Sequence, residues 1–297
     1  MKNHLKTVLL LGAMSGLVLA IGALAAPGQL PLFVALAVVM NLGAWFFSDR
    51  IVLRMHHARE VTPSQAPELH GIVDELARAA GIPKPRVCVI EDAAPNAFAT
   101  GRGPSRGVVA VTDGLLGLLD RRELRGVLAH EIAHIRHGDI LVSSIAAAVA
   151  SVITWLAQTL SFGAAFGGNR DEEQGSGPAA LLALAVAPVA ATLIQLGISR
   201  SREFLADEGG ATISGDPRAL ASALRKLERA AFAQPGEVSP STASLFIVNP
   251  LAGARGLTRW FSTHPSTDER VERLLGMARH GERLALSRGR SLAAGGR

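Results

Sequence analysis

Long apolar stretches alternate with polar segments along this chain of 297 residues. Four stretches are almost free of charged residues, and they cover residues 7–26, 30–47, 141–162 and 178–198. Each is close to the ~20 residues that an α-helix needs to cross a bilayer. The pattern therefore predicts a mainly α integral membrane protein with about four transmembrane helices, paired as an N-terminal hairpin in residues 1–59 and a second hairpin in residues 140–198.

Two alternatives to this arrangement remain open. The first stretch follows Lys2 and Lys6, which also suits a cleaved signal peptide, but its length and the second stretch close behind it favour a retained hairpin. The second hairpin contains Gly and Ser residues, so it could instead be buried in a core or dip into the bilayer without spanning it.

Arginine residues cluster beside the apolar stretches and contribute to a net charge of +5. Arg50, Arg54 and Arg59 follow the second stretch, so the positive-inside rule predicts that the polar part of the chain and both termini are cytoplasmic. The basic residues form no patch interleaved with aromatic residues, which argues against nucleic acid as a partner. Cys88 is the only cysteine, so no intramolecular disulfide can form.

Residues 60–139 and 199–280 have the composition of a soluble α+β domain that the second hairpin interrupts. Apolar spacing predicts a helix that Gly81 ends, a strand at Arg86–Ile90, a loop from residue 91 to 107 and a second strand at residues 108–111. In the second half, Asp216-Pro217 begins one helix and Ser266 with Glu269 caps another. The basic tail, residues 281–297, is expected to be disordered.

The sequence His130-Glu131-Ile132-Ala133-His134 carries the strongest chemical signal. Asp120 and Glu123 form a capping box before it and predict a helix, on which residues four apart share one face. Both imidazoles can then reach one Zn²⁺ ion at about 2.0 to 2.1 Å. Glu131 is placed to act as the general base of a zinc peptidase.

A catalytic zinc needs a third protein ligand and an open position. If the second hairpin returns to its starting side of the membrane, Glu203 lies close to the histidine helix and is the predicted third ligand. Asp207, four residues later, is the expected hydrogen-bond partner of a ligand imidazole. A solvated acidic face remains the alternative for this pair, and His137 is interpreted as non-ligating because three collinear histidines give poor tetrahedral geometry.

Two further features have open interpretations. Asn96, Ala97 and Phe98 precede the second strand and could form an edge that holds substrate backbone, although a plain hairpin packed on the helix explains them equally well. His264 could stabilise an oxyanion or donate a proton, or it could simply belong to the loop that precedes the last helix.

Taken together, these motifs resemble the HtpX-type membrane metalloproteases, which are related to the prenyl-protein CAAX metalloproteases. The resemblance extends over nearly the whole chain, from the N-terminal apolar hairpin and Asn96-Ala97-Phe98-Ala99 to His264-Pro265-Ser266-Thr267. It implies a zincin-like catalytic domain with one Zn²⁺ ion on His130, His134 and Glu203, in the bacterial inner membrane.

The implied activity is endoproteolysis of misfolded or damaged membrane proteins, with the lipid bilayer and other quality-control proteases as candidate partners. A non-enzymatic membrane scaffold with a structural zinc site is the main alternative, but structural sites normally have four protein ligands and only three candidates are visible. An intramembrane-cleaving protease is disfavoured because Arg121, Arg122, Arg125 and Arg136 surround the motif.

Overall fold

The computed structural model of the chain describes residues 2–25, 27–148, 200–233, 246–248 and 265–294. The predicted fourth apolar stretch, most of the third stretch and His264 lie outside these described residues.

The chain begins with two long apolar helices, α1 (Lys2–Ala25) and α2 (Leu30–Met55), which a short 3-10 helix at Pro27–Gln29 connects. Within the described residues, α2 is the helix that is long and apolar enough to cross a membrane, and only 11% of its most apolar window is buried. The core helix of a soluble protein would have its apolar side chains covered. Most of the large exposed apolar side chains described lie on α1 and α2, as expected of helices that contact lipid.

A further helix, α6, covers residues 140–148, where the described segment stops. It packs against both N-terminal helices through a buried apolar cluster formed by Leu10, Met14, Ala44, Val142, Ile145 and Ala146. The described start of the third predicted apolar stretch therefore joins the same bundle as α1 and α2.

A four-stranded mixed sheet lies next to this bundle. Its strands are β1 (Arg59–Glu60), β2 (Arg86–Ile90), β3 (Ala97–Gly101) and β4 (Gly107–Thr112). Their order is β1-β2-β4-β3, with β2 and β4 parallel and the other neighbours antiparallel. The predictions of β2 and β4 are confirmed, but the prediction of a loop from residue 91 to 107 is wrong because β3 lies within it. Ala97, Ala99 and Gly101 give β3 a weak local signal, and its pairing with β4 stabilises it.

The remaining helices are α3 (Pro67–Ala80), α4 (Asp113–Leu118), α5 (Arg121–His137), α7 (Arg200–Ser214), α8 (Pro217–Ala233) and α9 (Thr267–Ala294). Strand residues alternate between two cores, as the period of two requires. Ala97, Ala99 and Val109 face the main core, which contains residues of α3, α5, α7, α8 and α9. Phe98 and Val108 face the other side, where Val52, Leu53 and Ala147 from α2 and α6 cover the sheet. The sheet thus joins the apolar bundle to the polar domain.

Local signals set the ends of several helices as predicted. Asp120 accepts hydrogen bonds from the backbone of Arg122 and Glu123, and the Glu123 side chain completes the capping box of α5. Gly81 ends α3 in the left-handed conformation. Residues 281–294 of the tail differ from the expectation of disorder, since α9 continues to Ala294. Its residues after Gly281 include many Leu, Ala and Arg, whose helix propensity outweighs the cost of Gly289.

Candidate metal centre

Close packing of α5 against α7 brings the predicted metal ligands together. The two helices approach at Gly210, where an added β-carbon would lie 2.8 Å from the backbone nitrogen of His130. At Gly209 an added β-carbon would lie 2.9 Å from the β-carbon of Ala133. Consecutive glycines therefore allow α7 to lie directly on the backbone of the histidine helix, which places Glu203 opposite His130.

His130, His134 and Glu203 form a cluster whose ligand atoms all lie within 4.8 Å of one another. The two Nε2 atoms are 3.2 Å apart. Glu203 Oε2 lies 3.7 Å from His130 Nε2, and Glu203 Oε1 lies 3.5 Å from His134 Nε2. Ligands at about 2.0 to 2.2 Å in a tetrahedron are about 3.3 to 3.5 Å apart, so the cluster has the dimensions of three vertices of a zinc site.

Each imidazole of this cluster contacts a carboxylate through its other ring nitrogen. His130 Nδ1 lies 3.0 Å from Asp207 Oδ1, and His134 Nδ1 lies 3.2 Å from Asp139 Oδ2. Such contacts fix the tautomer that presents Nε2 to a metal. Burial lowers the pKa of His130, although Asp207 opposes the shift, and this favours the neutral imidazole that binds metals.

An arginine from the C-terminal helix holds Asp207 in place. Arg270 is buried, donates hydrogen bonds of 2.8 and 2.7 Å to the two carboxylate oxygens of Asp207, and donates a third of 2.6 Å to the carbonyl of Ile247. Burial acts to raise the pKa of Asp207, but the Arg270 guanidinium overcomes it and holds this pKa at about 2. On the other imidazole, Asp139 pairs with Arg202 of α7.

Glu131 lies at the cluster with its side chain directed towards β3. It is 5% exposed, and burial raises its pKa to about 7, with a contribution from the nearby Glu203. His134, a hydrogen bond from the backbone of Ala99, and Arg270 act in the opposite direction. A bound divalent cation would favour the carboxylate further. The carboxylate of Glu131 therefore lies between the ligand cluster and β3.

β3 is an edge strand, since it is last in the sheet order and pairs with β4 alone among the described strands. Of the predicted substrate segment, Ala97 and Phe98 belong to β3, and their side chains are buried on opposite faces of the sheet. Asn96 lies just before the strand, where its side-chain oxygen accepts a hydrogen bond of 3.4 Å from the backbone of Ile247. Because the backbone of Ala99 donates a hydrogen bond to Glu131, the edge of β3 that has no strand partner among the described residues lies beside Glu131.

His137 lies outside the cluster, exposed on α5 near Gly209. The site also contains residues that sequence reasoning missed. These residues are Arg270 and Asp139, which carry no recognisable local signal in the sequence. Arg270 and Asp207 are 63 residues apart in the sequence, so their buried contact leaves no local pattern there.

Comparisons with known proteins identify the family of the chain. A family model described as peptidase family M48 matches residues 63–278. A protease HtpX homolog of Ralstonia pickettii is 49% identical over 288 residues, which cover 95% of this chain and 99% of the relative. A protease HtpX homolog of Syntrophobacter fumaroxidans is 51% identical over 284 residues, which cover 93% of this chain and all of the relative.

Among solved structures, the crystal structure of S. mikatae Ste24p has a TM-score of 0.48 and 20% sequence identity, and the match covers 89% of this chain and 62% of that one. The family match and the relatives of about 50% identity confirm the predicted peptidase. The chain belongs to peptidase family M48 and is a metalloprotease of that family.

Proposed function

We propose that the protein is a zinc-dependent endopeptidase of the bacterial inner membrane that cleaves misfolded or damaged membrane proteins. Residues 60–139 and 199–280 form one cytoplasmic, zincin-like catalytic domain, and the four apolar stretches anchor it. The observation that carries the proposal is the cluster of His130, His134 and Glu203, whose spacing fits a tetrahedral zinc ion, with the buried Glu131 beside it.

His130, His134 and Glu203 would hold the Zn²⁺ ion. When bound, zinc supplies a Lewis acid that polarises the scissile carbonyl and lowers the pKa of water. Glu131 accepts the proton of the attacking water and delivers it to the leaving nitrogen, so no covalent enzyme intermediate is needed. Asp207 and Asp139 keep the two imidazoles in the orientation that presents Nε2.

The free edge of β3 would hold an extended substrate by backbone hydrogen bonds. Backbone pairing is independent of side-chain identity, which suits a protease whose substrates are unfolded or damaged segments. Because Ala99 of this strand contacts Glu131, a paired peptide would lie with a carbonyl close to the general base. His264 remains a proposed contributor to oxyanion stabilisation.

The location of the site favours membrane-bound substrates. Asp139, which contacts His134, is followed at once by α6, and α6 packs on α1 and α2. The catalytic helix therefore ends within a few residues of the apolar bundle. A peptide leaving the bilayer would reach this site before it diffuses into the cytoplasm.

The direct test purifies the full-length chain in detergent with a chelator, adds zinc, and follows cleavage of an unfolded test protein. We expect zinc-dependent cleavage by the wild type and a loss of at least about 10³-fold in Glu131→Gln, because general base catalysis and water positioning are both removed. Glu208→Gln on the exposed side of α7 is the matched control.

Equal cleavage by the Glu131→Gln variant would refute the role of Glu131. A zinc-loaded wild type without any activity would instead favour the scaffold. The scaffold is the weaker candidate because the described cluster has three protein ligands, whereas structural zinc sites usually have four.

A further inference from the structure

A strongly basic cavity of 520 Å³ lies where α2 meets the sheet, on residues that the peptidase mechanism does not use. Six cationic side chains line it, and they are Arg50, Arg54, Lys84, Arg86, Arg102 and Arg106. They come from three parts of the chain, namely the last turns of α2, the start of β2 with the segment just before it, and the connection from β3 to β4. Asp49 is the one carboxylate among the lining residues.

The position of the cavity relative to the membrane can be inferred from α2. Phe46 and Phe47 are 48% and 47% exposed and are the last large exposed apolar residues before the cationic turns of this helix. The guanidinium of Arg102 lies 5.8 Å from the ring centroid of Phe46, and that of Arg50 lies 5.5 Å from the centroid of Phe47. If α2 is embedded in lipid, these cations lie within one helical turn, about 5 Å, of the hydrocarbon boundary. That is the depth of lipid headgroups.

The cations of the cavity are poorly neutralised by the protein. Arg86 donates to Glu60 at 2.9 Å and lies 4.0 Å from Asp49. Within the described part of the chain, the other five have no carboxylate at ion-pair distance. The Nε atom of Arg102 is buried and has no hydrogen-bond partner there. A buried donor without a partner costs free energy, so an acceptor from outside the protein would be favoured.

We propose that this cavity binds the phosphate group of an anionic phospholipid. Guanidinium groups bind phosphate oxygens in a bidentate way, and basic pockets at the ends of transmembrane helices attract anionic headgroups. The acyl chains would lie along the exposed apolar face of α2, which includes Leu42 and Val39. The inference rests on the proposed membrane location of α2 and is independent of peptidase activity.

The test measures lipid binding to the full-length chain in detergent by native mass spectrometry, with Glu131→Gln in every protein to prevent self-cleavage. Phosphatidylglycerol, phosphatidylcholine and inorganic phosphate are added separately and in competition. The cavity variant is Arg54→Gln with Arg102→Gln. The matched control removes the same charge from exposed positions of α8, Arg225→Gln with Arg229→Gln. Protection of Cys88 from alkylation reports that each variant is folded.

We expect a preference for phosphatidylglycerol over phosphatidylcholine that falls about fivefold for each cation removed, or about 25-fold for the pair. The control pair should keep the wild-type preference, and Arg54→Lys with Arg102→Lys should keep most of it. If the glutamine pair fails to fold, Arg106→Gln on the exposed loop should still give the fivefold loss.

Three results would overturn the proposal. One is a wild type that binds both lipids equally, and another is an equal loss in the α8 control. The third is displacement of the lipid by an equal concentration of inorganic phosphate, which would identify a site for a free anion. None of these outcomes depends on whether the zinc site cleaves peptides.

Discussion

Gly210 is the position where a single added methyl group should separate the two halves of the metal centre. In Gly210→Ala the new β-carbon would lie 2.8 Å from the nitrogen and 2.9 Å from the α-carbon of His130. Ordinary contacts between carbon atoms are about 3.5 to 4.0 Å, so α7 must move away from α5 by about 0.7 Å or more. Backbone atoms of a helix interior cannot move aside as a flexible side chain would.

A shift of this size exceeds the tolerance of about 0.2 Å in metal–ligand distances. Because Glu203 and Asp207 both lie on α7, we expect the affinity for zinc to fall about 10- to 100-fold. Overpacking costs about 1 to 3 kcal/mol, while the higher helix propensity of alanine offsets about 1 kcal/mol. The free energy of unfolding should therefore fall by only about 0 to 2 kcal/mol.

Competition with a chelating dye measures the zinc affinity, and thermal unfolding of the zinc-free protein measures stability. Gly71→Ala on α3 is the matched control, since an added β-carbon there meets nothing within 4 Å. It should raise the free energy of unfolding by about 1 kcal/mol and leave the zinc affinity unchanged. Wild-type zinc affinity in Gly210→Ala would refute the argument that close packing of α5 and α7 positions the site.

Two further predictions concern the surroundings of the site, and a third concerns the face of the sheet that α2 covers. Arg270→Lys replaces a bidentate fork with one ammonium group, so the zinc affinity should fall about tenfold in the dye competition. An unchanged zinc affinity would contradict a role of Arg270 in orienting Asp207. Asp139→Asn should weaken zinc binding about tenfold because it removes the charge beside His134. An unchanged zinc affinity in the dye competition would contradict this role of Asp139. Cys88 is 2% exposed, and burial raises the pKa of its thiol to about 11. At pH 8 only about 0.1% of this thiol is thiolate, so iodoacetamide should label Cys88 slowly until the protein unfolds. Rapid labelling of the native protein would show that this face of the sheet is open.

Local signals in the sequence predicted the elements that carry the site. The capping box at Asp120 and Glu123 is confirmed, and α8 begins at Pro217 with Asp216 accepting a hydrogen bond of 3.0 Å from the backbone of Ala219. Ser266 accepts one of 3.3 Å from the backbone of Glu269 at the start of α9. Each of these depends on residues within one helical turn, which is the range over which sequence pattern determines structure.

The features that the sequence did not predict depend on contacts between elements. β3 depends on pairing with its neighbour β4, whereas the fork of Arg270 on Asp207 joins α9 to α7 across 63 residues. Gly209 and Gly210 were not singled out because a glycine pair inside a helix looks locally like a weakness. Only the contact with α5 shows that these glycines are needed for close approach.

The proposed ligands of the metal centre come from both sides of residues 149–199, and contacts that involve no metal join the two sides. Gly210 packs on the backbone of His130, Arg202 pairs with Asp139, and Arg270 fixes Asp207. In a small zinc finger, by contrast, the metal itself supplies the folding free energy. In this chain these contacts favour an arrangement in which the proposed ligands lie together, independently of the metal. Because Asp139 links the end of the catalytic helix to α6, that same arrangement fixes the site at the base of the apolar bundle.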